Sequence, residues 1–190
     1  MVALLERDEW HPAELRGSKV TLRRHRPDDL PHVIRWYRDP ELGRLTRYHA
    51  NPMSADEVER FFRGRLLSDD ALAYAIEEQP SGRLIGFTTF SGLDAENDSV
   101  LFHITIGERD AWGRGLGSEA TELMLAHAFD NLGLHRVGLS VFSYNTRAIR
   151  AYEKVGFRHE GRLREAIQRD GRYWDEIQMS VLRQEWLARR

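Results

Sequence analysis

Cysteine is absent from all 190 residues. That excludes a disulfide framework, a thiolate zinc site and any cysteine nucleophile, so covalent catalysis would need another residue. Long apolar runs are missing too, and no stretch approaches the roughly 20 residues of a membrane span. Met1 to Trp10 is too acidic and too interrupted for a signal peptide, which makes the cytoplasm the default expectation. Neither sign of charge dominates: 28 Lys and Arg against 30 Asp and Glu give a net charge of −2 and no global pull toward nucleic acid. The eight His residues include no HExxH, and neither His25 with His32 nor His127 with His135 has zincin spacing, so no metal is expected.

What is present describes a globular protein. Apolar residues make up 41% of the chain and charged residues 31%, with aromatics dispersed throughout, a composition able to bury one substantial core. One domain over residues 1–190 is expected.

Hydrophobic periodicity supplies the elements. Ser18 to Arg24 alternates as a short strand, and Leu30, Val33, Ile34 and Tyr37 then fall at helical spacing. Asp39 to Pro52 reads as a loop ending at a Ser54-to-Glu57 capping box, with Val58, Phe61, Phe62 and Leu66 as the buried stripe of the next helix. Ala71 to Ile76, Leu84 to Phe90 and Val100 to Ile106 are β-like runs broken by turn formers. Beyond Gly117 the period becomes helical to about Asn131, Arg136 to Phe142 is a strand, and Asn145 to Val155 is a helix closed by Gly156. Asp170-Gly171 marks a hairpin between Gly161 to Gln168 and Arg172 to Leu182. The strand, helix, strand, helix order at the centre requires one parallel crossover in an otherwise largely antiparallel sheet, a mixed α/β domain whose cleft lies after Ile106.

Two segments carry chemistry. Trp112-Gly113-Arg114-Gly115-Leu116-Gly117-Ser118 joins a strand to a helix with glycines at alternate positions, so backbone amides and the positive helix end can approach a pyrophosphate while Arg114 adds charge. Walker A fails at Gly117-Ser118-Glu119, the Rossmann pattern fails at Ser118, and no Gly-x-Ser-x-Gly elbow occurs. In the second segment Asn145 and Tyr152 stand seven residues apart, about two helical turns, on nearly one face. Each alone has a plain reading, as an N-cap and as a core aromatic.

Residues 112–120 and the run Asn145 to Phe157 together resemble the coenzyme A motifs of the GNAT acetyltransferase superfamily, and the tail Glu160 to Glu165 with Asp170 to Glu176 resembles its branch of ribosomal-protein N-terminal (RimJ/RimL-like) and spermidine acetyltransferases. The similarity covers most of residues 18–187, leaving 1–17 as an N-terminal extension. It implies a mostly antiparallel mixed sheet of about seven strands flanked by about four helices, with one parallel crossover at the cofactor cleft. It implies further that Ile104, Thr105 and Ile106 face pantetheine, that Arg114, Gly115, Leu116, Gly117 and Ser118 cradle the pyrophosphate, and that Asn145 holds the pantetheine arm. Tyr152 would then donate a proton to the departing thiolate of acetyl-CoA.

The implied reaction is direct transfer of acetyl to a primary amine, and the missing cysteine agrees with it. Glu108, His103 and Asp175 are candidate bases, none singled out. Trp36, Tyr37, Arg47, Tyr48 and His49, with the Asp170-Gly171 hairpin, would form the acceptor pocket. A peptide or protein N-terminus is the favoured acceptor because the loop is not notably acidic. The alternatives are a small amine (polyamine, amino acid or aminoglycoside) or a non-catalytic acyl-CoA sensor. The resemblance implies a homodimer; the lack of a long apolar run and the near-neutral charge lead us to expect neither a membrane nor nucleic acid as partner.

Overall fold

The computed structural model describes residues 11–49, 51–68 and 71–189. Met1 to Trp10, the segment weighed above as a signal peptide, lies outside the described residues, as does most of the N-terminal extension.

Eight strands are described: β1 (Glu14–Arg16), β2 (Val20–Arg24), β3 (Ala73–Glu78), β4 (Arg83–Asp94), β5 (Ser99–Ile106), β6 (Arg136–Phe142), β7 (Arg158–Arg169) and β8 (Arg172–Leu182). They form one sheet in the order β1-β2-β3-β4-β5-β6-β8-β7. Every neighbouring pair is antiparallel except β5 with β6. Six α-helices are described: α1 (Leu30–Arg38), α2 (Pro40–Thr46), α3 (Ala55–Phe61), α4 (Leu116–Ala126), α5 (Thr146–Val155) and α6 (Arg183–Leu187).

The mixed α/β class is as expected; the element count is larger. The eighth strand is β1, whose three residues are too few to show alternation and which pairs Leu15 with Leu22 of β2. The additional helices are α6 and α2, the latter inside the stretch read as a loop. Asp39 caps α2 by accepting from the amides of Glu41 at 2.8 Å and Leu42 at 3.2 Å, and Pro40 occupies the first helical position. That Asp-Pro-Glu start was visible in the sequence; a helix of seven residues is too short for an apolar stripe to stand out.

Local chemistry fixes the other ends. Ser54 and Glu57 form the capping box at α3, the amide of Glu57 meeting Ser54 Oγ at 3.3 Å and the amide of Ser54 meeting Glu57 Oε2 at 2.8 Å. Asp170 and Gly171 both have positive φ, 53° and 73°, the backbone that a two-residue β7/β8 turn demands.

Alternation sends one set of side chains to each sheet face. Val20, Leu22, Tyr74, Ile76, Phe102, Leu139 and Val141 pack against α4 and α5, whereas Ala73, Ala75 and Phe87 pack against α1 and α3 through Val33, Trp36, Val58 and Phe62. The sheet is thus covered on both faces, and a ligand can pass from one to the other only through a break in it.

Candidate active site

The break lies between β5 and β6. These strands pair in parallel only at Ser99 with Arg136, Val100 with Val137 and Leu101 with Gly138. Beyond Leu101, β5 continues along β4 to Ile106, and beyond Gly138, β6 continues along β8 to Phe142. The two diverge, and a cavity of about 1110 Å³ occupies the opening. Its walls hold all ten residues singled out from the sequence: Ile104, Thr105, Ile106, Arg114, Gly115, Leu116, Gly117, Ser118, Asn145 and Tyr152.

The ladder decides which backbone groups face the opening. The amide of Gly107 donates to Ile85 O at 2.8 Å, so alternation commits the backbones of Thr105 and His103 to β4 and turns those of Ile104 and Ile106 toward β6. Ile106 O is taken by Trp112 Nε1 at 2.8 Å. Thr105 contributes a side chain on the α1/α3 face, opposite Phe87.

At the head of the cavity Gly113 and Gly115 have φ of 73° and 81°. Gly115 is the N-cap of α4, a left-handed position where a side chain would be strained. The first helical bond back to the cap comes from Glu119, at 3.1 Å from Gly115 O, so the amides of Leu116, Gly117 and Ser118 have no partner among the described residues. Three free donors at the positive end of a helix make an anion site. Arg114 does not point there freely, since its guanidinium is paired with Glu78, which also binds Arg83 at 3.0 Å.

A second cation is present that the sequence did not reveal. A Cβ built on Gly115 would lie 3.6 Å from Lys19 Nζ, and Lys19 lines the cavity. Glu119 of α4 holds it there, accepting from Ser18 Oγ at 2.6 Å and from the amides of Ser18 and Lys19 at 2.8 Å each. A hundred residues separate the partners, so no motif records them. Arg150 and Lys154, one turn apart on α5, add positive charge to the same wall.

Asn145 and Tyr152 stand where the cavity narrows between α5 and β5. Asn145 Oδ1 caps α5 by accepting from the Ala148 amide at 3.3 Å, and its Nδ2 donates to Leu45 O at 3.4 Å, joining α5 to α2. Tyr152 packs between Phe102 and Phe157, with ring centroids at 6.4 and 5.7 Å. Burial alone pushes its pKa up to about 12, so the hydroxyl keeps its proton near neutrality.

The candidate bases separate. Glu108 accepts from Trp36 Nε1 at 2.9 Å and pairs with Arg35, outside the cavity. Asp175 is outside it as well, held by Arg162 at 3.1 Å and by the Glu165 amide at 2.8 Å. His103 lines the opening, with Nε2 2.7 Å from Ser91 Oγ, and burial holds its pKa below the usual 6.5. Across the opening stands Glu176, which sequence reasoning did not single out: 4% exposed, paired with Phe142 of β6, and accepting from Tyr48 Oη at 2.5 Å. Of the proposed acceptor cluster, Tyr37, Arg47 and Tyr48 line the cavity; Trp36 and His49 do not.

A divergent pair of parallel strands, an amide-lined helix start and a half-buried tyrosine between them are the features of an acyltransferase, and the chain belongs to the acetyltransferase (GNAT) domain family, whose model matches residues 19–158. Among known relatives, the spermidine N(1)-acetyltransferase of Vibrio cholerae is 30% identical over 174 residues, 91% of this chain and 98% of that one. The putative ribosomal N-acetyltransferase YdaF of Bacillus subtilis is 26% identical, over 90% of this chain and 94% of that one. The crystal structure of spermidine N-acetyltransferase from Vibrio cholerae in complex with CoA and spermine superposes with a TM-score of 0.79 at 26% identity, covering 90% of this chain and 99% of that chain. Among the described residues no helix is long and apolar enough to cross a membrane, and no group of three or more His, Asp or Glu side chains is placed to hold a metal.

Proposed function

We propose that this chain, acting as one cytoplasmic acetyltransferase domain, moves acetyl from acetyl-CoA directly to the primary amine of a peptide or protein N-terminus. The observation that carries the reading is the continuity of the cavity: unpartnered amides at the start of α4, a break between β5 and β6 that crosses the sheet, and Tyr152 at the junction.

The amides of Leu116, Gly117 and Ser118, with Lys19 alongside, hold the pyrophosphate. Arg114 and Gly115 shape the loop. The exposed backbone edge of Ile104 and the Ile106 amide continue β5 toward the pantetheine amides, Thr105 and Asn145 flank that arm, and the Ile104 amide is a donor for the oxyanion. The acceptor nitrogen attacks the thioester carbon, the carbon–sulfur bond breaks, and Tyr152 donates its proton or a hydrogen bond to the leaving thiolate. The ammonium proton leaves on the opposite face, where His103 is held as the neutral imidazole that can take it. With no cysteine in the chain, acetyl is not parked on protein sulfur. A homodimer, as in the resembled branch, completes the proposal.

Thiol release from acetyl-CoA, followed across N-terminal peptides, polyamines, amino acids and aminoglycosides, tests it. Release that depends on a peptide amine supports the reading; release with small amines alone replaces the acceptor; binding of acetyl-CoA with no release leaves a sensor.

A further inference from the structure

The acceptor half of the cavity is short of negative charge. Among the described residues Glu176 is the one carboxylate on its wall, and the Tyr48 hydroxyl at 2.5 Å and Gln178 Nε2 at 3.3 Å already occupy it. The same cavity wall carries Arg47, in the segment that follows α2. Both terminal nitrogens of its guanidinium are buried without a hydrogen-bond partner among the described residues, and the group lies over the Tyr37 ring, 5.3 Å from its centroid. Arg169 comes alongside, donating to the carbonyls of Gln168 at 2.8 Å, Tyr48 at 2.7 Å and Arg47, while its Nε has no partner there. Carbonyl oxygens satisfy donors but neutralise nothing. Asp170, next to Arg169 at the hairpin turn, is bound to Arg44 at 2.9 Å.

Two adjacent guanidinium groups with no carboxylate between them are costly to bury. The strain is visible on Arg47, whose pKa burial lowers, with Tyr37 opposing and the charge of Arg169 adding to the depression. Arg47 nevertheless lines the cavity, which is where an anionic acceptor group would meet it.

We infer that the acceptor carries a carboxylate as well as its amine, and that Arg47 receives that carboxylate while the amine points into the β5/β6 opening. The inference rests on the acetyltransferase reading above and narrows its acceptor. A planar carboxylate matches the two unpartnered nitrogens of Arg47 in a forked contact, and Arg65 at the cavity wall adds attraction. A polyamine would instead bring further cations to a wall that already holds Arg47 and Arg65. The carboxylate can come from a free amino acid or from an acidic side chain at a peptide N-terminus; the contact is the same.

The test compares acceptors that differ only in charge: glutamate against its diamide, and a peptide beginning with Asp against the same peptide beginning with Asn, with spermidine as the cationic control. With the full chain and acetyl-CoA, a carboxylate acceptor should exceed its amide partner in kcat/KM by about tenfold or more, the size of one charge-assisted contact. Arg47→Gln should erase that ratio by raising KM for the carboxylate acceptor and leave acetyl-CoA affinity, the check on folding, unchanged. The free amino acid and the peptide distinguish the two sources. Equal rates for carboxylate and amide, or preference for spermidine, would overturn the inference with the wild-type protein alone. If no acceptor is acetylated, calorimetric binding of the same pairs to the CoA-loaded protein decides: equal affinities overturn the inference, and a tenfold preference lost in Arg47→Gln upholds it while the transfer reading fails.

Discussion

At the scale of single residues, the proposed chemistry rests on groups whose environments set their protonation. Tyr152 owes its raised pKa to burial alone, so it is a hydrogen-bond donor over the whole working range. Because a thiolate is already a stable leaving group, Tyr152→Phe should lower kcat by no more than about 10²-fold, with the KM for acetyl-CoA little changed, in steady-state thiol release. Loss of acetyl-CoA binding in that variant would make Tyr152 a packing residue. The sequence drew attention to Tyr152 because Asn145 stands two turns away on the same helix, and both line the cavity. Glu176 was not legible: it follows Asp175 in a strand whose alternation places one inside and one outside, and sequence alone gives no sign of which face the cavity takes.

At the scale of elements, the cofactor loop depends on two devices, one local and one distant. Gly115 takes φ of 81°, a backbone that costs an alanine roughly 1–2 kcal/mol, so Gly115→Ala should weaken acetyl-CoA binding and lower Tm together. Lys19 is brought to the loop by Glu119, and Lys19→Met should raise the Kd for acetyl-CoA about tenfold in calorimetry while Tm stays put. An unchanged Kd would remove Lys19 from the site. The glycine spacing and the helix stripe of α4 were written in consecutive residues, so the loop could be read directly. The Ser18, Lys19 and Glu119 contact spans a strand and a helix far apart in the chain, and α2 was hidden by brevity, so both waited for the structure.

At the scale of the whole molecule, acid stability and assembly follow from features remote from the cavity. Burial alone would raise the pKa of Asp29, but hydrogen bonds from Arg23, His25 and the Arg26 amide hold it well below the usual carboxylate range. That stability is present above the unfolded value of about 3.9 and is lost as pH falls through the lower folded value. His25 works in the earlier window. Its folded pKa is depressed by burial against the opposing pull of Asp29, so the unfolded chain binds the proton first and stability falls as pH drops below about 6.5. Thermal melts should therefore show Tm declining in two stages, below about pH 6.5 and again below about pH 4, and Asp29→Ala should cost about 3–5 kcal/mol in denaturant titrations at neutral pH. A flat profile through both windows would contradict this. The sheet ends at β7, whose residues Arg158 to Ala166 are exposed along an open edge, and light scattering should give twice the 22.1 kDa chain mass.

The central claim is direct transfer of acetyl from acetyl-CoA to an amine across the β5/β6 opening. Initial rates measured while both substrates are varied, with acetylated product and free CoA counted in the same samples, test it most directly. The account predicts intersecting reciprocal plots and one acetylated amine per CoA released, as a ternary complex requires. Parallel plots, or CoA released without acetylated amine, would contradict it.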